Sequence, residues 1–207
     1  MPDRGLLAAT CGAIALVLAG CGGTRDRALL SGHACLAQLS EHDIAYRSTE
    51  IGDPSDPHCR VDTAVRVSRI HAALNKPATM SCALAARLDE FEREVVQPLA
   101  IEELGRRATR IDHLGSYSCR RQNSRLSGRW SQHARGQAID IAGFRLSDGT
   151  TVSVERDWRE PGLKRQFLRH LTRRACRYFS VVLTPDSNAE HYNHLHLDIG
   201  PSRLCST

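Results

Sequence analysis

Two short segments of the chain concentrate the residue types that do metal chemistry. The first contains His133 and Asp140, separated by Gly136, and the second contains His194 and His196. Zinc binds histidine nitrogens and carboxylate oxygens in a tetrahedron, and a hydrolytic site leaves one corner open for water. Two histidines and one carboxylate supply three such ligands. The sequence therefore predicts a catalytic type of zinc site that holds one ion.

The second segment is predicted to be a β-strand that presents its histidines to one side. His194, His196 and Asp198 share one face of such a strand, because alternate side chains point the same way. The leucines between them point into the core. Gly136 allows the chain to turn after His133, which brings a loop ligand within reach of a strand ligand.

The remaining elements follow from hydrophobic periodicity and turn signals. Helices are predicted over residues 29–39, from a cap at Ser81 to a bend or end at Pro98, and from Leu163 to about Cys176. Strands are predicted over 44–46, 111–114, 138–146, 151–158, 181–183 and 194–199, with a hairpin turn at 147–150. Residues 52–57 have the composition of a loop, and residues 115–132, rich in Ser, Gly and Arg, are predicted to be a long binding loop. The expected fold class is α+β, a small antiparallel sheet that carries the zinc site, is flanked by helices and is stapled by disulfides.

The N-terminal residues have the pattern of a targeting segment. An apolar run over residues 6–19 follows Arg4 and is too short to span a bilayer comfortably. It closes with Leu18-Ala19-Gly20-Cys21, which resembles the lipobox of bacterial lipoproteins, and the alternative is a plain cleaved signal with an incidental cysteine. We expect a signal peptide over 1–20, a tether over 21–30 lipidated at Cys21, and one domain over 31–207. Gly22 favours, by analogy with Gram-negative sorting, a membrane anchor on the periplasmic side of the outer membrane.

The cysteine count agrees with export to an oxidising part of the cell envelope. Of eight cysteines, Cys11 lies in the signal segment and Cys21 at the lipid site, which leaves an even number. We expect the others to form disulfides in sequential pairs, although sequence alone does not choose among the pairings: Cys35 with Cys59, Cys82 with Cys119, and Cys176 with Cys205. Their spacing disfavours a cysteine zinc site.

The charge balance limits the possible partners. The net charge is +5, the arginines are spread thinly, and aromatic residues make up only 5% of the sequence. Because no basic block is interleaved with aromatic residues, we expect no nucleic-acid partner. A peptide, a glycan or an anionic surface in the envelope is compatible with this charge. We expect a monomer.

The chemical segments also carry a family resemblance. The pattern Ser-x-His-x-x-Gly-x-Ala-x-Asp at 131–140, followed by His-x-His at 194–196, is similar to the zinc signature of lysostaphin-type endopeptidases, D-alanyl-D-alanine metallopeptidases and the hedgehog signalling domain. More closely, residues 115–120, 133–144, 147–149, 157–158, 175–176 and 191–200 resemble the bacterial extensin-like C-terminal domain family. The resemblance implies that His133, Asp140 and His196 are the three zinc ligands.

The same resemblance implies roles for three further residues. His194 matches a histidine that lies beside the metal water and assists catalysis, and His191 occupies a spacing similar to that in penicillin-insensitive murein endopeptidases. Arg120 occurs where carboxypeptidases of the group bind a substrate carboxylate or carbonyl oxygen. Asn193 replaces an acidic residue that acts there as general base, so His194 is the preferred base and Glu190 the reserve.

Each of these side chains also has a purely structural interpretation. His194 could orient a ligand, His191 could be a surface histidine near a turn, and Arg120 could be a solvated loop residue. Asp198 could hold a histidine tautomer or cap the strand end. The two tryptophans, Trp130 and Trp158, could line a cleft, although core or rim packing is the simpler interpretation.

Together these features predict a zinc-dependent hydrolase of the cell envelope. The expected substrates are peptidoglycan peptides, cut by a D,D-carboxypeptidase or endopeptidase type of reaction. One alternative is a non-catalytic zinc domain that binds wall peptides or a protein partner, which the missing acid at Asn193 favours. A third class, a disulfide-stapled structural lipoprotein, would require a vestigial ligand set.

Overall fold

The computed structural model describes residues 32–52 and 56–206 of the chain. The predicted signal peptide, the lipidation site Cys21 and the tether lie outside these residues and stay predictions. Residues 53–55 of the predicted loop lie outside them as well. Within the described part of the chain, no helix combines the length and the apolar character that crossing a membrane requires.

The described residues form a mixed α+β domain, as predicted. Its helices are α1 (Gly32–Glu41), α2 (Cys82–Phe91), α3 (Gln97–Leu104), α4 (Val154–Asp157) and α5 (Leu163–Ala175). Its strands are β1 (Ala45–Thr49), β2 (Ala64–Arg69), β3 (Ala73–Ser81), β4 (Ala108–Gly115), β5 (Ala138–Leu146), β6 (Thr151–Ser153), β7 (Val181–Leu183), β8 (Leu195–Asp198) and β9 (Leu204–Cys205). One continuous apolar cluster joins the sheet to the helices.

The strands form one sheet in the order β1-β2-β3-β4-β5-β8-β7-β9, with β6 paired with β5. The pairs β3–β4 and β7–β9 are parallel, and the other pairs are antiparallel. The prediction of a small antiparallel sheet is therefore only partly correct, because the sheet is larger and contains two parallel pairs. It missed the β2–β3 hairpin, because β3 contains Pro77, which lacks the N–H that a strand interior normally uses. The structure tolerates Pro77 near a register shift between Val67 and Arg69 of the neighbouring strand.

The helical segment after β3 begins as predicted and continues further than predicted. Ser81 caps α2, since its Oγ accepts a hydrogen bond from the Leu84 N–H at 3.2 Å. A π-helical turn over Glu92–Val96 then joins α2 to α3. Pro98 does not end the helix but lies in the first turn of α3, directly after the π-helical turn. The segment ends at Gly105, whose φ of +67° is left-handed.

The strand predicted over residues 151–158 is only partly correct. Strand β6 stops at Ser153, whose side chain accepts a hydrogen bond from the Arg156 N–H and starts the short helix α4. Asp157 completes this cap by accepting from the Ser153 N–H at 2.7 Å. Trp158 follows the helix and is buried in the core at 1% exposure, which removes it from any cleft.

The buried carboxylate of Glu92 fastens the helical layer to the sheet. It is 0% exposed and accepts hydrogen bonds from the backbone N–H groups of His71 and Ala72, at 3.1 and 2.6 Å. The side-chain amide of Gln97 donates a third, at 2.8 Å. His71 and Ala72 belong to the turn between β2 and β3, so one side chain joins the π-helical turn to that hairpin.

Replacing Glu92 with alanine should therefore destabilise the domain. Glu92→Ala leaves two backbone N–H groups without their acceptor, and we expect a loss of about 3 kcal/mol in the free energy of unfolding. Glu102→Ala is the control, because this glutamate is 66% exposed and only distantly paired with Arg174. Urea denaturation of both variants measures the difference. Equal stabilities of the two variants would contradict the fastening role of Glu92.

Three disulfides staple the described domain, and two of the three predicted pairings are wrong. The bonds join Cys35 to Cys82, Cys59 to Cys119, and Cys176 to Cys205. Only the pairing of Cys176 with Cys205 is confirmed. The sequential pairing failed because the unpredicted β2–β3 hairpin returns the chain to α1, which places Cys82 beside Cys35 with their Cα atoms 6.1 Å apart.

Candidate metal centre

Three different elements bring the candidate ligands together. His133 lies in a 3₁₀ turn over Gln132–Arg135, while Asp140 and His196 lie directly opposite each other in the antiparallel pair β5–β8. The turn ends at Gly136, whose φ is +61°. A Cβ at that position would lie 2.9 Å from the backbone nitrogen of Ser81, so both the conformation and the space require glycine.

The ligand atoms of these residues form a compact triangle. The Nε2 of His133 lies 3.2 Å from the Nδ1 of His196 and 3.2 Å from the Oδ2 of Asp140. The Nδ1 of His196 also lies 3.0 Å from the other carboxylate oxygen of Asp140, Oδ1, so the third corner of the triangle is the carboxylate group as a whole. All three side chains offer one ligand atom within 4.8 Å of the others, so this group could hold a single metal ion.

Hydrogen bonds on the far sides of both rings fix which nitrogens face the centre of the triangle. The Nδ1 of His133 contacts the backbone carbonyl of Ser116, which can only accept, so this nitrogen carries the proton and Nε2 keeps its lone pair. The Nε2 of His196 lies 3.2 Å from the Oδ2 of Asp198, leaving Nδ1 for the centre. Asp198 itself is held by the N–H of Gly200 at 2.9 Å. Such outer partners orient metal-binding histidines in many proteins.

The electrostatics at the triangle favour a positive charge. Burial alone would raise the pKa of Asp140, but its contacts with His133 and His196 outweigh burial and hold this pKa well below its usual range. Burial would likewise lower the pKa of His196, whereas its hydrogen bonds to Asp140 and Asp198 raise it to about 9. A proton therefore occupies His196 at neutral pH, and a metal ion would replace it.

Two more histidines border the same centre. The Nε2 of His194 lies 3.6 Å from the Oδ1 of Asp140, and its Nδ1 lies 2.8 Å from the side-chain oxygen of Asn193. His191 makes the equivalent contact with Asn188 at 2.6 Å, and its ring centroid is 5.0 Å from that of His194. If both asparagine oxygens accept, both rings keep Nε2 as an acceptor.

Burial keeps these two rings neutral. It is the main cause that lowers the pKa of His194, and together with the neighbouring histidines it lowers the pKa of His191 to about 4. The charge of Arg120 makes a smaller contribution to the lowered pKa of His194. The sequence did not predict the contact of Asn188 with His191 or that of Ser116 with His133. Ser116 does lie in a segment that resembles the extensin-like family.

The triangle forms part of the wall of a cleft of about 610 Å³. His191, His194 and Arg120 line the cleft, and so does Glu190, which is exposed. Trp130 is not among its lining residues and instead stacks on the ring of His58, with centroids 4.9 Å apart. The structure thus brings together every predicted ligand and catalytic candidate.

A second group of potential ligands does not form a metal site. Asp56, Cys59 and Cys119 lie within the same 4.8 Å limit. The two sulfurs are joined in a disulfide, so neither is a thiolate that could bind a metal.

The fold and the cleft define the chain as an α+β domain with a candidate metal centre on its sheet. Residues 33–206 match the family model for the extensin-like protein C-terminus, and the chain therefore belongs to the extensin-like C-terminal family. Comparisons with curated proteins and with solved structures found no match.

Proposed function

We propose that this protein is a zinc-dependent hydrolase of the cell envelope that cuts peptide bonds in peptidoglycan. The observation that carries the proposal is the triangle of ligand atoms from His133, Asp140 and His196 beside an open cleft. A metal centre with three protein ligands keeps a coordination position for water, which is the arrangement of hydrolytic zinc sites.

The chemistry and spacing of the ligands fit zinc. In a tetrahedral site with bonds of about 2.0–2.1 Å, neighbouring ligand atoms lie about 3.3 Å apart. The two histidine nitrogens lie 3.2 Å apart, and each lies 3.2 or 3.0 Å from one carboxylate oxygen of Asp140. Two imidazoles and one carboxylate suit zinc, whereas calcium and magnesium prefer oxygen ligands. The similarity of this pattern to the lysostaphin, D-alanyl-D-alanine peptidase and hedgehog group supports the same assignment.

His194 is the residue that we assign as proton acceptor. Zinc, when bound, polarises a scissile carbonyl and lowers the pKa of water toward about 7. With the asparagine oxygen accepting from Nδ1, the Nε2 of His194 faces the centre with its lone pair. It would take a proton from the attacking water and return it to the leaving amine. His191, neutral at the adjacent position, would hold the substrate or the leaving group by a hydrogen bond from the same cleft.

Two other parts of the chain connect this chemistry to an envelope substrate. Arg120 lines the cleft near His194, where it would bind a substrate carboxylate. The proposed lipid at Cys21 would keep the protein beside an insoluble polymer on the periplasmic side of the outer membrane.

A second candidate function is a non-catalytic zinc domain that binds wall peptides. Asn193 gives it support, because the side chain before His194 is an amide and not a carboxylate. Glu190 is the carboxylate of the cleft nearest in sequence to Asn193, but it is exposed and, among the described residues, makes no hydrogen bond or ion pair with the triangle. The two functions differ in whether His194 acts as a general base: the hydrolase requires it, and the binding domain does not.

Digestion of purified peptidoglycan sacculi separates the two functions. We expect the zinc-loaded domain to release peptide fragments that mass spectrometry identifies, and expect none after chelation. Re-addition of zinc should restore their release. A domain that binds zinc and sacculi yet releases no fragment from any sacculus would contradict hydrolysis and favour the binding function.

A further inference from the structure

One wall of the cleft is a short hairpin within the predicted long loop. The N–H of Ser131 donates to the carbonyl of Arg120 at 3.2 Å, and the N–H of Gln122 donates to the carbonyl of Arg129 at 3.0 Å. Between these bonds, Arg121 and Trp130 form an antiparallel bridge. We call residues 120–131 the basic hairpin, because they contain four arginines and no acidic residue: Arg120, Arg121, Arg125 and Arg129.

The outer face of the basic hairpin is fixed to the domain. The guanidinium carbon of Arg121 lies 4.6 Å from the ring centroid of Trp130, and Trp130 stacks on His58. His58 is followed by Cys59, whose disulfide with Cys119 anchors the residue before the hairpin. These contacts give the hairpin a defined orientation before any ligand binds.

The inner face of the basic hairpin lines the cleft. Because side chains alternate between the faces of paired strands, the neighbours of Arg121 and Trp130 point the other way. Those neighbours do line the cleft, namely Arg120, Gln122, Arg129 and Ser131, together with Asn123 and Ser124 from the turn of the hairpin. The alternation therefore places Arg121 on the outer face, where it packs on Trp130, and Arg120 and Arg129 on the inner face, where they line the cleft.

The two inward arginines have no acidic partner among the residues that the structure describes. Neither guanidinium makes a hydrogen bond or ion pair there, although other surface arginines do, such as Arg169 with Asp186. Arg120 and Arg129 occupy diagonal positions of the hairpin, where residues lie about 7–8 Å apart. Two like charges at this spacing repel each other, and a ligand with two negative groups would relieve that repulsion.

We propose that Arg120 and Arg129 bind two separate carboxylates of one peptide, so that the cleft selects substrates carrying a second carboxylate besides the one at Arg120. This inference rests on the proposed function and names its substrate class. A guanidinium binds a carboxylate through two parallel hydrogen bonds, which gives both affinity and orientation. Peptidoglycan stem peptides, which carry carboxylates along their length, have the required chemistry.

The test compares Arg129→Gln with Arg125→Gln. Both variants remove one charge from the basic hairpin, but Arg125 does not line the cleft. The probe is a fluorescent soluble stem pentapeptide, compared with the same peptide after amidation of its internal carboxylates. Binding is followed by anisotropy with zinc-loaded protein in a His194→Ala background, which prevents turnover. Zinc content confirms that every variant keeps its metal.

We expect Arg129→Gln to raise the Kd for the pentapeptide about tenfold and Arg125→Gln to change it less than about twofold. Amidation should weaken binding to the His194→Ala protein by a similar factor and have no further effect on the variant that also lacks Arg129. Salt should weaken binding less when Arg129 is absent, since one ion pair is lost.

Three results would overturn the inference: no binding of the pentapeptide, equal effects of the two glutamine variants, or equal affinity for the amidated peptide. The fate of the proposed function is read separately, from cleavage of the pentapeptide by protein that retains His194. Selective binding without cleavage would contradict the proposed hydrolase function and support the roles of Arg120 and Arg129. Cleavage with unselective binding would support the hydrolase function and contradict those roles.

Discussion

Replacing His194 with alanine should abolish most hydrolysis and leave the metal centre filled. A general base contributes about 10²- to 10⁴-fold to a rate, so we expect kcat to fall at least about 100-fold. The ring lies next to the triangle but is not one of its corners: its Nε2 is 3.6 Å from Asp140, beyond the shorter distances that join the ligands. Zinc content, measured by elemental analysis, should therefore match that of the wild type.

Two controls separate this role from a loss of structure. His33→Ala removes a histidine on the exposed side of α1 and should change neither rate nor zinc content. Thermal unfolding reports whether His194→Ala keeps its fold. A variant with normal zinc, normal stability and an unchanged kcat would show that His194 is not the base, which would direct attention to Glu190.

Replacing Asp140 with asparagine should remove the metal and with it all activity. The carboxylate touches both ligand histidines and supplies the negative charge that favours a cation at this point. Asparagine has almost the same shape, so the expected loss comes from charge and not from packing. We expect no zinc to remain bound to Asp140→Asn after dialysis.

The same change should remove the stabilisation that a bound metal provides. A ligand present at 1,000 times its Kd stabilises a folded protein by about 4 kcal/mol, so chelation should lower the unfolding free energy of the wild type by about that amount. Chelation should leave the stability of Asp140→Asn unchanged. Asp62→Ala, at an 82% exposed side chain, is the control that should behave like the wild type. A zinc-replete Asp140→Asn would contradict the assignment of this ligand.

The elements nearest the chemistry were the easiest to predict. Alternation of histidine with leucine in β8 indicates a strand with one buried face, and the structure buries Leu195 and Leu197 as expected. The pairing of Asp140 with His196 across β5 and β8 was not available from periodicity, since register depends on tertiary packing. Only the resemblance of the motifs indicated that these two residues act together.

Other parts of the fold left weaker signals in the sequence. Strand β3 contains Pro77, and the hairpin that it forms with β2 was missed, which in turn led to the wrong disulfide pairs. The basic hairpin has no apolar alternation. Cation–π stacking and backbone hydrogen bonds stabilise it, and it has no need of a buried apolar face. A loop was therefore the natural prediction there.

The most direct test of the metal centre is a crystal structure with diffraction data collected on both sides of the zinc absorption edge. We predict one anomalous peak, present only above the edge, bonded to the Nε2 of His133, the Nδ1 of His196 and the carboxylate of Asp140. The remaining coordination position should face the cleft and carry no protein ligand. A peak elsewhere, a fourth protein ligand at this one, or a zinc-supplemented crystal with no peak among these three residues would contradict a hydrolytic zinc centre.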